Sequence, residues 1–347
     1  MRRAISVYGL IFPMVFALAF AVQWQRTDAG RDTAILYVGA ANPRVGQSIY
    51  HPLPEPGVFR QQSVYNYPPP LAAALQPLTY LDYVTFARVW LIVLSVAFWA
   101  FAAGCSRILV GRYAWRSALA VGGLLFFAPG VMHSWNMGNA DLIVWACVAL
   151  GLAHAGAARG GALMAASLLK VTPIWAAVCA MRDRRALGGA LAAFAFAGVV
   201  TLAALGTGAV GESLTFLARV APTLGQGEWW ITGQQAWSIL GHELPALSPG
   251  NLSLAFLPLH SFRDVGVLPA WARVWLAIAG VGFPLLAGWA LRNRPEMQPA
   301  GVLAVSVLFA PILRISYLPM LVPCVLVWWM NRSNLARAGR PARDLRQ

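Results

Sequence analysis

Lys170 is the only lysine in the chain, and it stands among Leu168, Leu169, Val171 and Ile174. A charged group in such company is costly and marks a functional position by default. Pro173 follows three residues later, so the apolar run is predicted to break at Lys-Val-Thr-Pro into two half-helices. A cation beside freed backbone N–H groups at a helix start makes a pocket for an anion. The other reading is a lysine snorkelling to an interface from a hairpin tip. Arg314, in FAPILRISYLP, is either a second pocket cation or a loop arginine. Asn139 and Asp141, in NMGNADLIVW, start an apolar stretch, where they serve as helix caps or as pocket groups.

Two aspartates sit upstream in QWQRTDAGRDTAILYVGAANPRVGQSIYHP. Residues 30–41 are predicted to form a short helix lying on a membrane, with Ile35 and Val38 facing lipid. Asp28 and Asp32 are four apart, but Gly30 between them makes Asp28 a cap. Asp32 is then the carboxylate placed to point back at the rest of the molecule, unless it is simply solvated. Tyr67 precedes three prolines, which hold the chain extended and open the short helix that follows. Its ring is a sugar platform or a residue of an interfacial aromatic belt. Cys105, Cys147, Cys179 and Cys324 lie far apart in apolar stretches and read as core residues. With no CxxC, no HExxH and no histidine pair at i, i+4, local spacing gives no support for a metal site.

The elements that must position these groups are membrane helices. The chain has 347 residues, 59% hydrophobic and 11% charged, whereas soluble domains carry roughly 25% charged residues. Continuous apolar runs such as 5–22 and 186–205 exclude the alternating strands of a transmembrane barrel. Behind the net charge of +14 stand 25 arginines and one lysine, and most of the arginines sit in short loops. That distribution reports orientation by the positive-inside rule and does not call for nucleic acid as a partner.

The arginines predict an uncleaved first span, residue 1 in the cytoplasm, and a first outer loop at 23–70. Spans follow at 83–104, 117–131 and 141–157. A full span over 160–181 would put Arg182, Arg184 and Arg185 outside, so a re-entrant hairpin with its tip at Lys170 is expected there. The chain continues through 186–205, a second outer segment at 207–269, 271–291, the shorter pair 299–313 and 317–330, and a basic cytoplasmic tail at 331–347. The expectation is an all-α polytopic protein with a single integral membrane domain over 1–347. It has about eight full spans plus half-helices, and both termini are cytoplasmic. No internal repeat is visible, which counts against a transporter built from inverted repeats.

Taken in order, these residues resemble glycosyltransferase family 87, the polyprenol-phosphate-mannose-dependent mannosyltransferases of bacterial membranes, in the GT-C superfamily. The matching positions are Asp32, Tyr37 and the pair Gly39-Ala40, then Gly46 and Tyr50, then Tyr67-Pro68-Pro69. They continue with Gly138-Asn139-Ala140-Asp141, Lys170-Val171-Thr172-Pro173, Gln234-Gln235-Ala236 and Ala310-Pro311. The chain departs from the family pattern at Asn139, Asp141 and Ala236, and it offers Arg314, Ser316 and Tyr317 where many members have a histidine.

The resemblance implies a multi-span bundle with its site on the outer face of a bacterial inner membrane. It implies inverting transfer of a hexose, mannose in the first instance, from a polyprenyl-phosphate donor to a lipid or glycan acceptor of the cell envelope. Asp32 takes the family's general-base position, and no cofactor or metal is implied. Tyr37, Tyr67, Asn139, Asp141 and Gln235 fall at substrate-binding positions, with Lys170 and Arg314 facing the departing phosphate. A lipid-linked-sugar flippase without catalytic activity is the competing reading. A membrane acyltransferase lacks its usual histidine signature.

Overall fold

The computed structural model describes residues 2–26, 30–51, 53–54, 62–63, 65–225, 252–255, 257–259 and 269–338. These residues are helical apart from turns and one antiparallel pair of two-residue strands, Leu53–Pro54 with Gln62–Ser63. The helices are α1 (Arg2–Gln25), α2 (Arg31–Ala41), α3 (Pro69–Leu75), α4 (Tyr83–Val110), α5 (Trp115–Phe126) and α6 (Pro129–Met137). Then come α7 (Asp141–Ala153), α8 (Gly156–Leu169), α9 (Ile174–Ala180), α10 (Arg184–Leu205), α11 (Gly208–Thr215) and α12 (Ala221–Gly225). The C-terminal part holds α13 (Ala270–Ala290), α14 (Gln298–Leu308), a 3₁₀ turn at Ile315–Met320 and α15 (Leu321–Ala338).

Three of these, α4, α10 and α13, are individually long and apolar enough to cross a membrane, and the bent pair α5–α6 makes a fourth if taken as one span. Several of the others are shorter: α7 has 13 residues, α8 has 14 and α14 has 11. At 1.5 Å per residue they rise about 16–21 Å, less than a ~30 Å hydrocarbon core. The break at Lys170 is present, since α8 stops at Leu169 and α9 begins at Ile174.

The structure corrects other expectations. The run 117–131 is not one rod: the chain turns by 83° between α5 and α6, where Pro129 opens the second helix. Helix α2 does not lie on lipid, because Val38 and Leu36 are buried and the helix is packed against α3, α4 and α6. The apolar residues of α2 are spread around most of its circumference, so no lipid-facing stripe separates from a polar one.

Two packing features hold the site in place. On one side α4 packs against α7, and α7 against α8, which in turn packs on α10. The α8–α10 contact is made by Gly160 against the Ala186 backbone and Gly189 against the Ala157 backbone. A side chain at either glycine would push the helices apart, which is how small residues serve membrane helix pairs. On the other side α1, α4, α5 and α6 share an aromatic cluster. Phe16 lies 5.5 Å from Phe98, 5.4 Å from Phe126 and 5.1 Å from Trp135, ring centre to ring centre. The Phe98 ring is stacked and the other two are edge-on, arrangements that add specific geometry to the burial of large rings.

Candidate active site

Gly30 explains why Asp32 faces inward. It is the residue before α2, with φ of 85°, a conformation that L side chains rarely adopt. A Cβ there would also collide with the backbone of Asn136 and Met137. Bare backbone therefore lets the start of α2 sit directly against the end of α6. Gly138, with φ of 69°, ends α6 in the left-handed region, and its carbonyl accepts the Trp90 indole N–H at 2.8 Å. The chain leaves this corner into Asn139, beside the first turn of α2 where Asp32 stands.

Asn139 bonds both to the start of α7 and to Asp32. Its Oδ1 accepts the backbone N–H of Asp141 at 2.8 Å, satisfying a donor at the start of α7. Because that N–H can only donate, the amide orientation is fixed and Nδ2 is left to donate to Asp32 Oδ2, at 2.8 Å. The Tyr67 hydroxyl donates to the same Oδ1 at 3.3 Å.

Tyr67 is 9% exposed, which removes the belt reading, since a belt residue faces the membrane surface. Its backbone carbonyl accepts the Tyr50 hydroxyl at 3.1 Å, and its ring neighbours Tyr65, which covers Gly39. The prolines open α3 as expected, with Pro69 at its first position.

Lys170 does not snorkel. Its side chain is 14% exposed, and Nζ donates to Oδ1 of Asp141, which is fully buried. The ammonium also lies 3.5 Å from the centre of the Tyr317 ring, a cation–π contact. Asp141 Oδ2 is buried without a hydrogen-bond partner among the described residues. An acceptor left in this state is expensive unless a ligand or water completes it.

Asp32, Tyr67, Asn139, Asp141 and Lys170 are thus joined in one polar cluster, closed by Tyr317. Tyr37 is not in it: its hydroxyl donates to the Leu81 carbonyl at 3.2 Å and its ring packs on Tyr83 and Phe86. Arg314 is exposed at the start of the 3₁₀ turn that carries Tyr317, and its backbone carbonyl accepts the Tyr317 N–H. Gln234, Gln235 and Ala236 lie outside the described residues, as does Asp28. Sequence reasoning named Tyr317 only as a departure from a family pattern, because a tyrosine in an apolar stretch gives no sign of the cation it will face.

Burial pushes the Asp32 carboxyl up to about 6, and the neighbouring Asp141 carboxylate adds to the rise. Lys170, the Asn139 amide and Arg31 act in the opposite direction and hold it from going further. The result is a carboxylate that is ionised at neutral pH yet more basic than an ordinary aspartate, as general-base work requires.

A family model, glycosyltransferase family 87, matches residues 65–314. Neither the curated proteins nor the solved structures gave a match. The matched stretch carries Tyr67, Asn139, Asp141 and Lys170, while Asp32 precedes it and joins the others through the Asn139 amide. It covers more than half of the chain, and family membership makes this an enzyme that takes a sugar donor and an acceptor, against the flippase reading. The chain belongs to glycosyltransferase family 87.

Proposed function

We propose that the enzyme transfers a hexose, mannose in the first instance, from a polyprenyl-phosphate donor to a lipid or glycan acceptor on the outer face of a bacterial inner membrane. The observation that carries the reading is the half-buried Asp32 carboxylate, oriented by Asn139 in the same polar cluster as the Lys170 cation. In the reaction the acceptor hydroxyl gives its proton to Asp32 as its oxygen bonds to the anomeric carbon. The bond from that carbon to the phosphate oxygen breaks, and the lipid phosphate leaves with the electron pair. Attack opposite the leaving group inverts the anomeric configuration. Lys170 has donors beyond the one given to Asp141, and they serve the charge that develops on the departing phosphate. Tyr67 supplies an aromatic surface and Asn139 a fixed amide beside the sugar. The arginine distribution of the loops supports the outer face.

Asp32→Asn tests the base. The amide keeps the shape and cannot take a proton, so transfer measured by mass spectrometry of the glycolipid product falls by roughly 10² to 10⁴-fold. A fall of less than about tenfold overturns the assignment. Folding provides the control. The Asp32 pKa is raised in the fold, so its contribution to stability is fully present below the ordinary aspartate value and is lost as pH rises through about 6. At pH 7 Asp32→Asn therefore unfolds at the same temperature as the parent or higher.

A further inference from the structure

The run Tyr-Asn-Tyr-Pro-Pro-Pro at 65–70 leaves its own backbone short of donors. Proline has no N–H, so positions 68–70 offer none, and the next one, of Leu71, goes to the Pro68 carbonyl at 3.3 Å. The Tyr67 carbonyl is buried and must take its donor from elsewhere in the fold. It takes the Tyr50 hydroxyl, at 3.1 Å. A side chain 17 residues away therefore fixes the backbone from which Tyr67 reaches Asn139 and, through Asn139, Asp32.

Tyr50 is itself held on several sides. Asn42, fully buried, donates from Nδ2 to the Ser48 carbonyl at 3.1 Å and to the His51 carbonyl at 2.8 Å, which closes the loop around Tyr50. The Tyr50 N–H goes to the Ser48 hydroxyl at 3.2 Å, and that hydroxyl donates in turn to the Glu212 carboxylate at 2.9 Å. Glu212 belongs to α11, at the start of the second predicted outer segment. Phe216 opens the π-helical turn Phe216–Val220 that follows α11, and its ring lies 6.4 Å from that of Tyr50, centre to centre, with the planes 22° apart. Both rings are buried. Isolated π turns of this kind recur at functional sites.

We infer that Tyr50 is a positioning residue for the transfer reaction, through which α11 of the second outer segment governs the placing of Tyr67 and Asn139 beside the sugar. It rests on the part given to Asp32 and Tyr67 in that reaction and adds what sets their geometry. An unbroken line of hydrogen bonds runs from Glu212 through Ser48, Tyr50, Tyr67 and Asn139 to Asp32. Coupling along such a line is measured by breaking its links singly and together.

The test places 3-fluorotyrosine at position 67 of the purified full chain and reads its fluorine NMR resonance, which needs no substrate. Tyr50→Phe keeps the ring and removes the hydroxyl, and it displaces the resonance. Ser48→Ala cuts the link to Glu212 at an exposed position without touching the buried hydroxyl, and it displaces the resonance too. Tyr113→Phe, which loses a hydroxyl bonded to His154 in a predicted cytoplasmic loop, leaves the resonance in place. Transfer is read as the glycolipid that cells gain on expressing the chain, by mass spectrometry. A misplacement of about 1 Å is enough for roughly a hundredfold in rate. Tyr50→Phe accordingly lowers formation of the glycolipid at least tenfold, but by less than about threefold in a Tyr67→Phe background, where the link to Asn139 is already gone. A resonance unmoved by Tyr50→Phe, or moved as far by Tyr113→Phe, overturns the inference. Transfer at the parent rate in Tyr50→Phe, or an equal loss with and without the Tyr67 hydroxyl, overturns it as well. Full transfer in Asp32→Asn beside a coupled loss in Tyr50→Phe would remove the base and leave the positioning role standing.

Discussion

The Asn139 amide serves two structures at once, capping α7 through its oxygen and holding Asp32 through its nitrogen. A hydrogen bond donated to a carboxylate favours the charged form. Asn139→Ala therefore lets the Asp32 carboxyl rise further above its value of about 6. The rate, which is expected to climb with pH through about 6 in the parent, should climb at higher pH in this variant. An unmoved midpoint in the pH profile of kcat/KM would separate Asp32 from the titration. The Asp141–Lys170 pair makes a different demand. Removing one partner of a buried ion pair leaves the other charge uncompensated, at about 3–5 kcal/mol. Lys170→Ala alone should therefore lower the unfolding temperature sharply, while Lys170→Met with Asp141→Leu should restore the fold and still lose roughly a hundredfold in transfer. Wild-type transfer by the double variant would remove the cation from the mechanism. These residues were legible in the sequence because polar groups stand out in apolar runs. Their pairing was not, since Asp141 and Lys170 read equally well as a cap and a snorkelling chain until the fold brings them together.

Among the elements, α2 and the α5–α6 corner decide where Asp32 stands. The boundaries of α2 and the opening of α3 at its prolines were readable from glycine and proline chemistry. The 83° corner was not, because residues 117–131 are apolar throughout and Pro129 can either kink a span or open a new helix. Gly30 is the residue through which α2 meets the far end of α6, at Asn136 and Met137. Gly30→Ala brings strain at positive φ together with a collision against the Asn136 and Met137 backbone, so α2 must withdraw from Asn139. We expect a loss of transfer of at least tenfold with a modest fall in unfolding temperature. Transfer at the parent rate would show that Asp32 reaches the cluster by other means.

Across the whole molecule, the arginine clusters predict an orientation that helix lengths alone do not. With α4, α10, α13 and the bent α5–α6 pair as the long apolar elements, the short helices must be completed by their neighbours if they are to sit in hydrocarbon. Residue 45 belongs to the predicted outer loop and residue 184 to the predicted cytoplasmic one, and Arg184 starts α10. In a cysteine-free background, Val45→Cys should react with an impermeant maleimide in intact cells, and Arg184→Cys only after permeabilisation. Reaction of Arg184→Cys in intact cells would remove the re-entrant arrangement of α8 and α9. The Asp141–Lys170 pair also has a meaning for how the chain is made. Each charge entering hydrocarbon alone costs roughly 2.5–3.5 kcal/mol, but the two lie on successive helical segments that emerge from the ribosome close together, so each can neutralise the other as insertion proceeds. Tyr317, which covers the ammonium, is synthesised 147 residues after Lys170. A nascent chain can thus carry its charges into the bilayer well before the polar cluster is closed, and stalled or truncated products that lack Tyr317 are left with the ammonium uncovered.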